Sequence, residues 1–335
     1  MHLKSTLPCY TAHTMKLFAG VTDTQWYSFL SRRKNEDINF WQPSGNVQQF
    51  RAIEPGAPFV FKLKAPYNAI GGVGFFSAHT FQPIHIAWDA FGERNGCATF
   101  TEFRDKILVY RRKNNKTEET NPIIGCIILT NPVFFAESDW IPVPEDWGAS
   151  IVQGKTYSTG DINGIRLWDA VEQRLEKYKF YEQATLEKSD YITSNSFLDT
   201  PRFREQVLSR VRLGQGAFRI IVTDAYKRQC AVTGEHTLPV LEAAHIKPFS
   251  ENGPHAVSNG ILLRSDLHKL YDSGYVTITP DYRLEVSRSL KEDYNNGKIY
   301  YAMHGQRLQV LPERVESQPD TALLSWHNEH VYRAG

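Results

Sequence analysis

Four polar residues stand where they could do chemistry together: His245, Asn259, His268 and Asp272, separated by fourteen, nine and four residues. A neutral imidazole near pH 7 can take a proton from water. An imidazole and a carboxylate four residues apart on a helix share a face, so His268 and Asp272 can offer a nitrogen and an oxygen to one divalent cation. A cation so held would offset charge building on a phosphoryl group and its leaving oxygen. An amide suits holding a loop better than moving a proton. The set therefore reads as a base (His245), an orienter (Asn259) and two ligands (His268 and Asp272), and the chemistry is hydrolysis of a phosphodiester. Singly, each has a plainer reading: a strand-end cap, an Asn-Gly turn, a surface pair at helical spacing. The spacing of the whole set favours chemistry.

These residues need elements to carry them. The run from Leu238 to Ala244 is strand-like and ends in His245. A polar, turn-rich segment follows. Asn259 opens a second apolar run, 260–263, and a short helix then carries His268 and Asp272. Gly274 suits the helix end. Tyr275 to Thr279 and Leu284 to Val286 read as a hairpin, and Thr321 to Val331 as a closing helix through Leu323, Leu324 and Trp326. Lys247 and Arg264 flank the set and could add positive charge near a phosphate. Upstream, Pro201 to Leu213 reads as a helix whose Arg210, with the later Arg219, could meet phosphates or be a solvated face.

Strand, loop, strand, helix, with His, Asn and His at those stations, resembles the HNH finger of bacterial restriction endonucleases. The matching pieces are Gly214 to Arg219, Cys230 to Glu235, Ala243-Ala244-His245-Ile246, Asn259 to Leu263, Leu267 to Asp272 and Trp326 to Glu329, spread over about 130 residues from Arg202 to Arg333. The resemblance implies a ββα-metal fold, a catalytic His245, Asn259 and His268, and a metal held by His268 and Asp272. One departure stands out. Many such fingers carry Asp or His just before the base as a metal ligand, where this chain has Ala244, which leaves the third protein ligand unassigned.

The chain has 335 residues, enough for two domains and a sizeable core. It has 38 basic and 37 acidic residues, 41% hydrophobic and 22% charged, as in ordinary soluble proteins. A DNA-binding face must then be local. Four scattered cysteines, Cys9, Cys97, Cys126 and Cys230, form no CxxC pair, so structural zinc is not expected and free thiols in a reducing cytoplasm are. No apolar run is long enough to span a membrane. Residues 1–14 read as a leader without a cleavable apolar core.

The N-terminal half is rich in aromatics. Residues 23–33 read as a helix capped by Thr22 or Asp23, residues 35–45 as a loop, and residues 101–110 as a helix. Short apolar runs at 58–63, 72–76, 83–88 and 123–129, punctuated by Pro and Gly, have the rhythm of a barrel of short strands. Residues 156–164 read as the barrel's end, and 165–182 as an amphipathic connector helix. Pro55-Gly56 before a strand, the Gly-Val-Gly-Phe strand and the late Ile-Gly-Cys-Ile-Ile-Leu strand resemble a PUA-type barrel of the EVE kind, from about Met15 to Gln153. That resemblance implies a pocket for a base swung out of duplex DNA. Trp41, in a loop without an obvious core role, is the first candidate platform; Trp26, Phe75, Phe76 and Trp88 are others, with Asp89 a possible acceptor for a cytosine amino group.

The sequence thus predicts an α+β chain: a leader at 1–14, an EVE/PUA-like β-barrel with helices at 15–155, a connector at 156–200 and an HNH (His-Me finger) nuclease at 201–335. The expected function is a cytoplasmic, modification-dependent endonuclease. It would flip 5-methyl- or 5-hydroxymethylcytosine from double-stranded DNA and cut nearby as a homodimer, with Mg²⁺, or else Mn²⁺ or another transition ion, as cofactor. The alternatives are a nuclease for unmodified sequence or structure and a nucleic-acid-binding protein with a decayed finger.

Overall fold

The computed structural model describes residues 14–44, 48–113, 119–187, 214–254 and 256–334. Residues 1–13 of the expected leader, residue 45 of the expected loop, the expected helix at 201–213 and Arg210 lie outside them, as does Cys9. The chain divides into two compact units. Within the described residues, one draws on 14–31, Arg51–Phe76 and 133–187, and the other on Arg32–Phe50, Ser77–Pro132 and 214–334.

In the first unit, β1 (Lys16–Thr22) runs parallel to β3 (Pro58–Leu63) and antiparallel to β7 (Gly154–Ser158). β3 pairs antiparallel with the start of β4 (Ala69–Pro83), and β6 (Ile141–Pro142) also pairs with β4. The segment 156–164, expected to end the barrel, begins as strand: Gly154 to Ser158 finds its partner in β1, some 140 residues earlier in the chain. Helix α1 (Thr24–Leu30) starts where Asp23 accepts from the backbone N–H groups of Gln25 and Trp26. Helix α4 (Ile162–Glu187) turns Leu167, Trp168, Val171 and Leu175 onto a core of Leu17, Val60, Val73 and Tyr157. That spacing is helical, and burying such a stripe is what holds the helix.

The second unit holds β2 (Asp37–Gln42), which pairs antiparallel with β5 (Ile123–Phe134), Trp41 opposite Cys126. Within the second unit the strand order is β2-β5-β4, and within the first it is β4-β3-β1-β7. The expected loop at 35–45 is corrected over 37–42, where a strand runs with its partner more than 80 residues downstream. The run 83–88 is also not a strand. Pro83 precedes helix α2 (Ile84–Phe91), which buries Ile84, Ala87 and Phe91. Proline favours helix starts because its missing N–H would have no partner there. Helix α3 (Phe100–Lys113) buries Phe103 and Ile107 against Ile84, Ala87 and Ile124.

The remaining elements form the finger. Helix α5 (Gln215–Ala225) precedes the antiparallel hairpin of β8 (Leu241–His245) and β9 (Gly260–Arg264). Residues 238–240 form a 3₁₀ turn, so the strand starts three residues later than expected. Helix α6 (Ser265–Asp272) follows β9 directly. β10 (Val276–Ile278) and β11 (Leu284–Val286) make a second hairpin, followed by α7 (Ser289–Tyr294), α8 (Lys298–Tyr301) and α9 (Thr321–His330). Gly274 takes φ +74, the left-handed conformation glycine tolerates, and its N–H caps Tyr271.

The core under the finger joins α5 and both hairpins to Ile86, Ala90, Phe91 and Ile128 of the same unit. Asp37 of β2 ties this join: its fully buried carboxylate accepts from the Ala217 N–H at 2.6 Å and pairs with Arg94. An acid among the free N–H groups of a helix's first turn is well placed. Burial still raises its pKa, against the pull of Arg94. From α9, buried His327 stacks on Tyr271 at 3.7 Å and bonds Thr277 and the Tyr271 carbonyl. Burial pushes its pKa down to about 4, so it is a neutral, structural histidine.

Candidate active site

His245 closes β8 opposite Gly260 of β9. Its ring lies flat on Phe218 of α5, centroids 3.8 Å apart and planes 7° apart. Gly260 makes that approach feasible: a Cβ there would come within 2.5 Å of Val222 and 2.9 Å of the Phe218 ring. A flat stack fixes the imidazole plane.

Asn259 is fully buried one residue before β9. Its carbonyl oxygen accepts from the Lys247 N–H, and its amide donates to the carbonyls of Lys247 and Pro254, all at 2.9 Å. Its own carbonyl accepts from the Ile246 N–H. The segment that leaves His245 is thereby pinned from both ends.

Helix α6 buries Leu267 and Tyr271, four residues apart. His268 and Asp272 each follow by one residue, about 100° round the helix, and His268 Nε2 lies 3.3 Å from Asp272 Oδ2. Two neighbouring ligands of a six-coordinate ion at about 2.1 Å stand about 3 Å apart, so this pair fits a divalent cation. Among the described residues no three His, Cys, Asp or Glu side chains converge as a cage. Ions such as Mg²⁺ keep several waters, so two protein donors suffice. The other His268 nitrogen, Nδ1, lies 2.7 Å from Glu242 of β8. Desolvation raises the Asp272 pKa; His268 opposes the rise and the Glu242 charge adds to it. That surplus of negative charge is one a cation would relieve.

The flanking cations differ in their freedom. Lys247 lies over the Trp326 ring at 4.9 Å. Arg264 is forked onto Asp266 at 2.9 and 2.6 Å, so its charge is largely answered. Arg219 donates to the Asp89 carbonyl at 3.2 Å. Cys97, Cys126 and Cys230 are buried thiols.

The base-pocket candidates fall in both units. Trp26, Phe75 and Phe76 are buried in the first, with Trp26 edge-on to Phe61. Trp41, Trp88 and Asp89 belong to the second. Trp41 and Trp88 are half-buried and both pack on Phe103, and the Trp41 indole donates to the Asn95 carbonyl. Asp89 is exposed on α2.

The sequence reading missed two groups. Glu242 gave no signal because its partner lies 26 residues away. His79 of β4, nine-tenths buried, accepts the Phe50 N–H through Nδ1 at 3.2 Å. Its Nε2 therefore carries the proton, and it has no hydrogen-bond partner among the described residues. Burial holds its pKa down at about 4.

A β-hairpin and helix that present a histidine, a buried loop-pinning asparagine and a His–Asp pair define a ββα nuclease finger. Residues 230–279, which include all four, match the family model of HNH endonucleases, so the chain carries an HNH endonuclease domain and is a nuclease. Among the solved structures that are similar at low identity, two illustrate the match. One is the modification-dependent TagI restriction endonuclease, 14% identical over 93% of this chain and 81% of that one, with a TM-score of 0.27. The other is ASCH from Zymomonas mobilis, 10% identical over 37% of this chain and 76% of that one, with a TM-score of 0.25. No curated protein matches.

Proposed function

We propose that the chain is a modification-dependent DNA endonuclease that flips 5-methyl- or 5-hydroxymethylcytosine from the duplex and cuts nearby. The observation that carries the nuclease part is the pinned geometry of the finger: His245 flat on Phe218, its loop held by Asn259, and His268 paired with Asp272. His245 takes the proton of the attacking water as the new P–O bond forms and the P–O bond to the leaving sugar oxygen breaks. A cation held by His268 and Asp272, Mg²⁺ in this reading, supplies Lewis acidity at the phosphate. Lys247 adds positive charge; Arg264 contributes less because Asp266 answers it. Each finger cuts one strand, so a double-strand break calls for a homodimer or two successive binding events.

The modification part rests on the EVE-like pattern of the N-terminal sequence. Flipping a base costs a few kcal/mol, and stacking on aromatics returns about 1–3 kcal/mol per base. Half-buried Trp41 and Trp88 keep a face to offer, whereas Trp26, Phe75 and Phe76 serve the core. The buried N–H of His79 is a donor of the kind that reads a base edge. The test is digestion, with Mg²⁺, of plasmids that differ only in cytosine modification. Modified plasmid is expected to be cut and unmodified plasmid spared. Equal cutting of both overturns modification dependence and leaves a nuclease that reads sequence or structure; no cutting of either overturns the proposal.

A further inference from the structure

We infer that Glu242 is a positioning residue of the finger: it holds His268 through Nδ1, so that Nε2 is the nitrogen offered, with Asp272, to the cation. The inference rests on the reading that His268 and Asp272 hold that cation. An ionised carboxylate can only accept a hydrogen bond. The 2.7 Å contact therefore keeps a proton on Nδ1, while Nε2 faces the Asp272 carboxylate; a cation seated between them would take the Nε2 lone pair. That lone pair lies on the side of Asp272, 3.3 Å away. Ligating histidines commonly donate their second N–H to a carboxylate in this way, which fixes tautomer and ring plane and raises ligand basicity.

Strand geometry explains why Glu242 can do this while Ala244 leaves its own position empty of charge. Alternate residues of a strand share a face. Ala244 is fully buried, and Glu242, two residues earlier on that face, is half-exposed and reaches α6. The acid absent beside the base is thus present one pleat further back, where it meets the ligand rather than the ion. The two hydrogen-bonding roles of the ring are then divided, Nδ1 to the strand and Nε2 to the helix face.

The experiment uses the full chain. Mn²⁺ is titrated calorimetrically into wild type, Glu242→Ala, Glu242→Gln and His268→Ala, with thermal midpoints and ¹⁵N spectra of the histidine rings recorded for each. In wild type without metal, His268 is expected to carry its proton on Nδ1. Glu242→Ala is expected to weaken Mn²⁺ binding by about 10–100-fold, move the proton to Nε2 and leave the midpoint near wild type. Glu242→Gln, whose amide oxygen still accepts from Nδ1, is expected to recover most of the affinity. The inference is overturned if Glu242→Ala binds Mn²⁺ like wild type, if the tautomer does not change, or if Gln is as poor as Ala, which would make Glu242 a direct ligand. His268→Ala separates the two readings: if it too binds like wild type, the ligand assignment fails, not the role of Glu242 alone.

Discussion

Replacing His245 with alanine is expected to lower strand cutting by about 10²–10⁴-fold, the usual worth of a positioned general base. Single-turnover nicking of supercoiled plasmid at saturating enzyme measures it. Binding to the same plasmid should stay near wild type, since the substitution leaves Lys247 and its loop in place. Stability should fall only modestly. The ring is half-exposed, and the loss includes the stack on Phe218, worth about 0.5–1.5 kcal/mol beyond area for an aromatic pair. Unchanged nicking by the variant would falsify the assignment of the base.

Asn259→Ala acts through the fold and is expected to be strongly destabilising. The side chain is fully buried, and its three bonds at 2.9 Å satisfy the N–H and carbonyl of Lys247 and the carbonyl of Pro254. Alanine leaves these groups without their partner. Each unsatisfied buried group costs about 1–3 kcal/mol, and partial access to water trims the total to about 3 kcal/mol. Urea unfolding followed by circular dichroism measures this, and cutting should fall alongside because the segment leaving His245 is no longer pinned. Asn259→Asp should be no milder: a carboxylate keeps the acceptor toward the Lys247 N–H but has no donor for the two carbonyls. A loss under 1 kcal/mol for either variant contradicts this account.

Much of the finger was legible in the sequence because its signals are local. The hairpin strands, the i, i+4 pair on α6 and the Asn-Gly junction all lie within 35 residues, and each obeys a short-range rule. Glu242 lay in plain view three residues before His245, yet its partner is set by how α6 crosses the hairpin, which no spacing rule encodes. The N-terminal half was harder for the same reason. β2 looked like a loop because Asn35, Pro43 and Gly45 flank it, and only its pairing with β5, far along the chain, makes it a strand. Ile84 to Trp88 alternates over too short a window to tell period two from helical spacing. Pro83 carried the helix-start signal, and the apolar run masked it.

The seat of Phe218 bears on how this enzyme can be rebuilt. The helix that supports His245 is capped by Asp37 and rests on Ala90 and Phe91; Arg228 near its end donates to the Phe81 carbonyl, and Asp224 accepts from Gln82. All of these lie more than 100 residues upstream. A truncated chain starting at residue 201 keeps every reacting group but loses the floor beneath them, and it should melt broadly and nick little compared with the intact chain. Transplanting this nuclease unit onto another protein would require carrying Arg32–Phe50 and Ser77–Pro132 along, so the seam for such a chimera runs through the middle of the polypeptide rather than at a single joint.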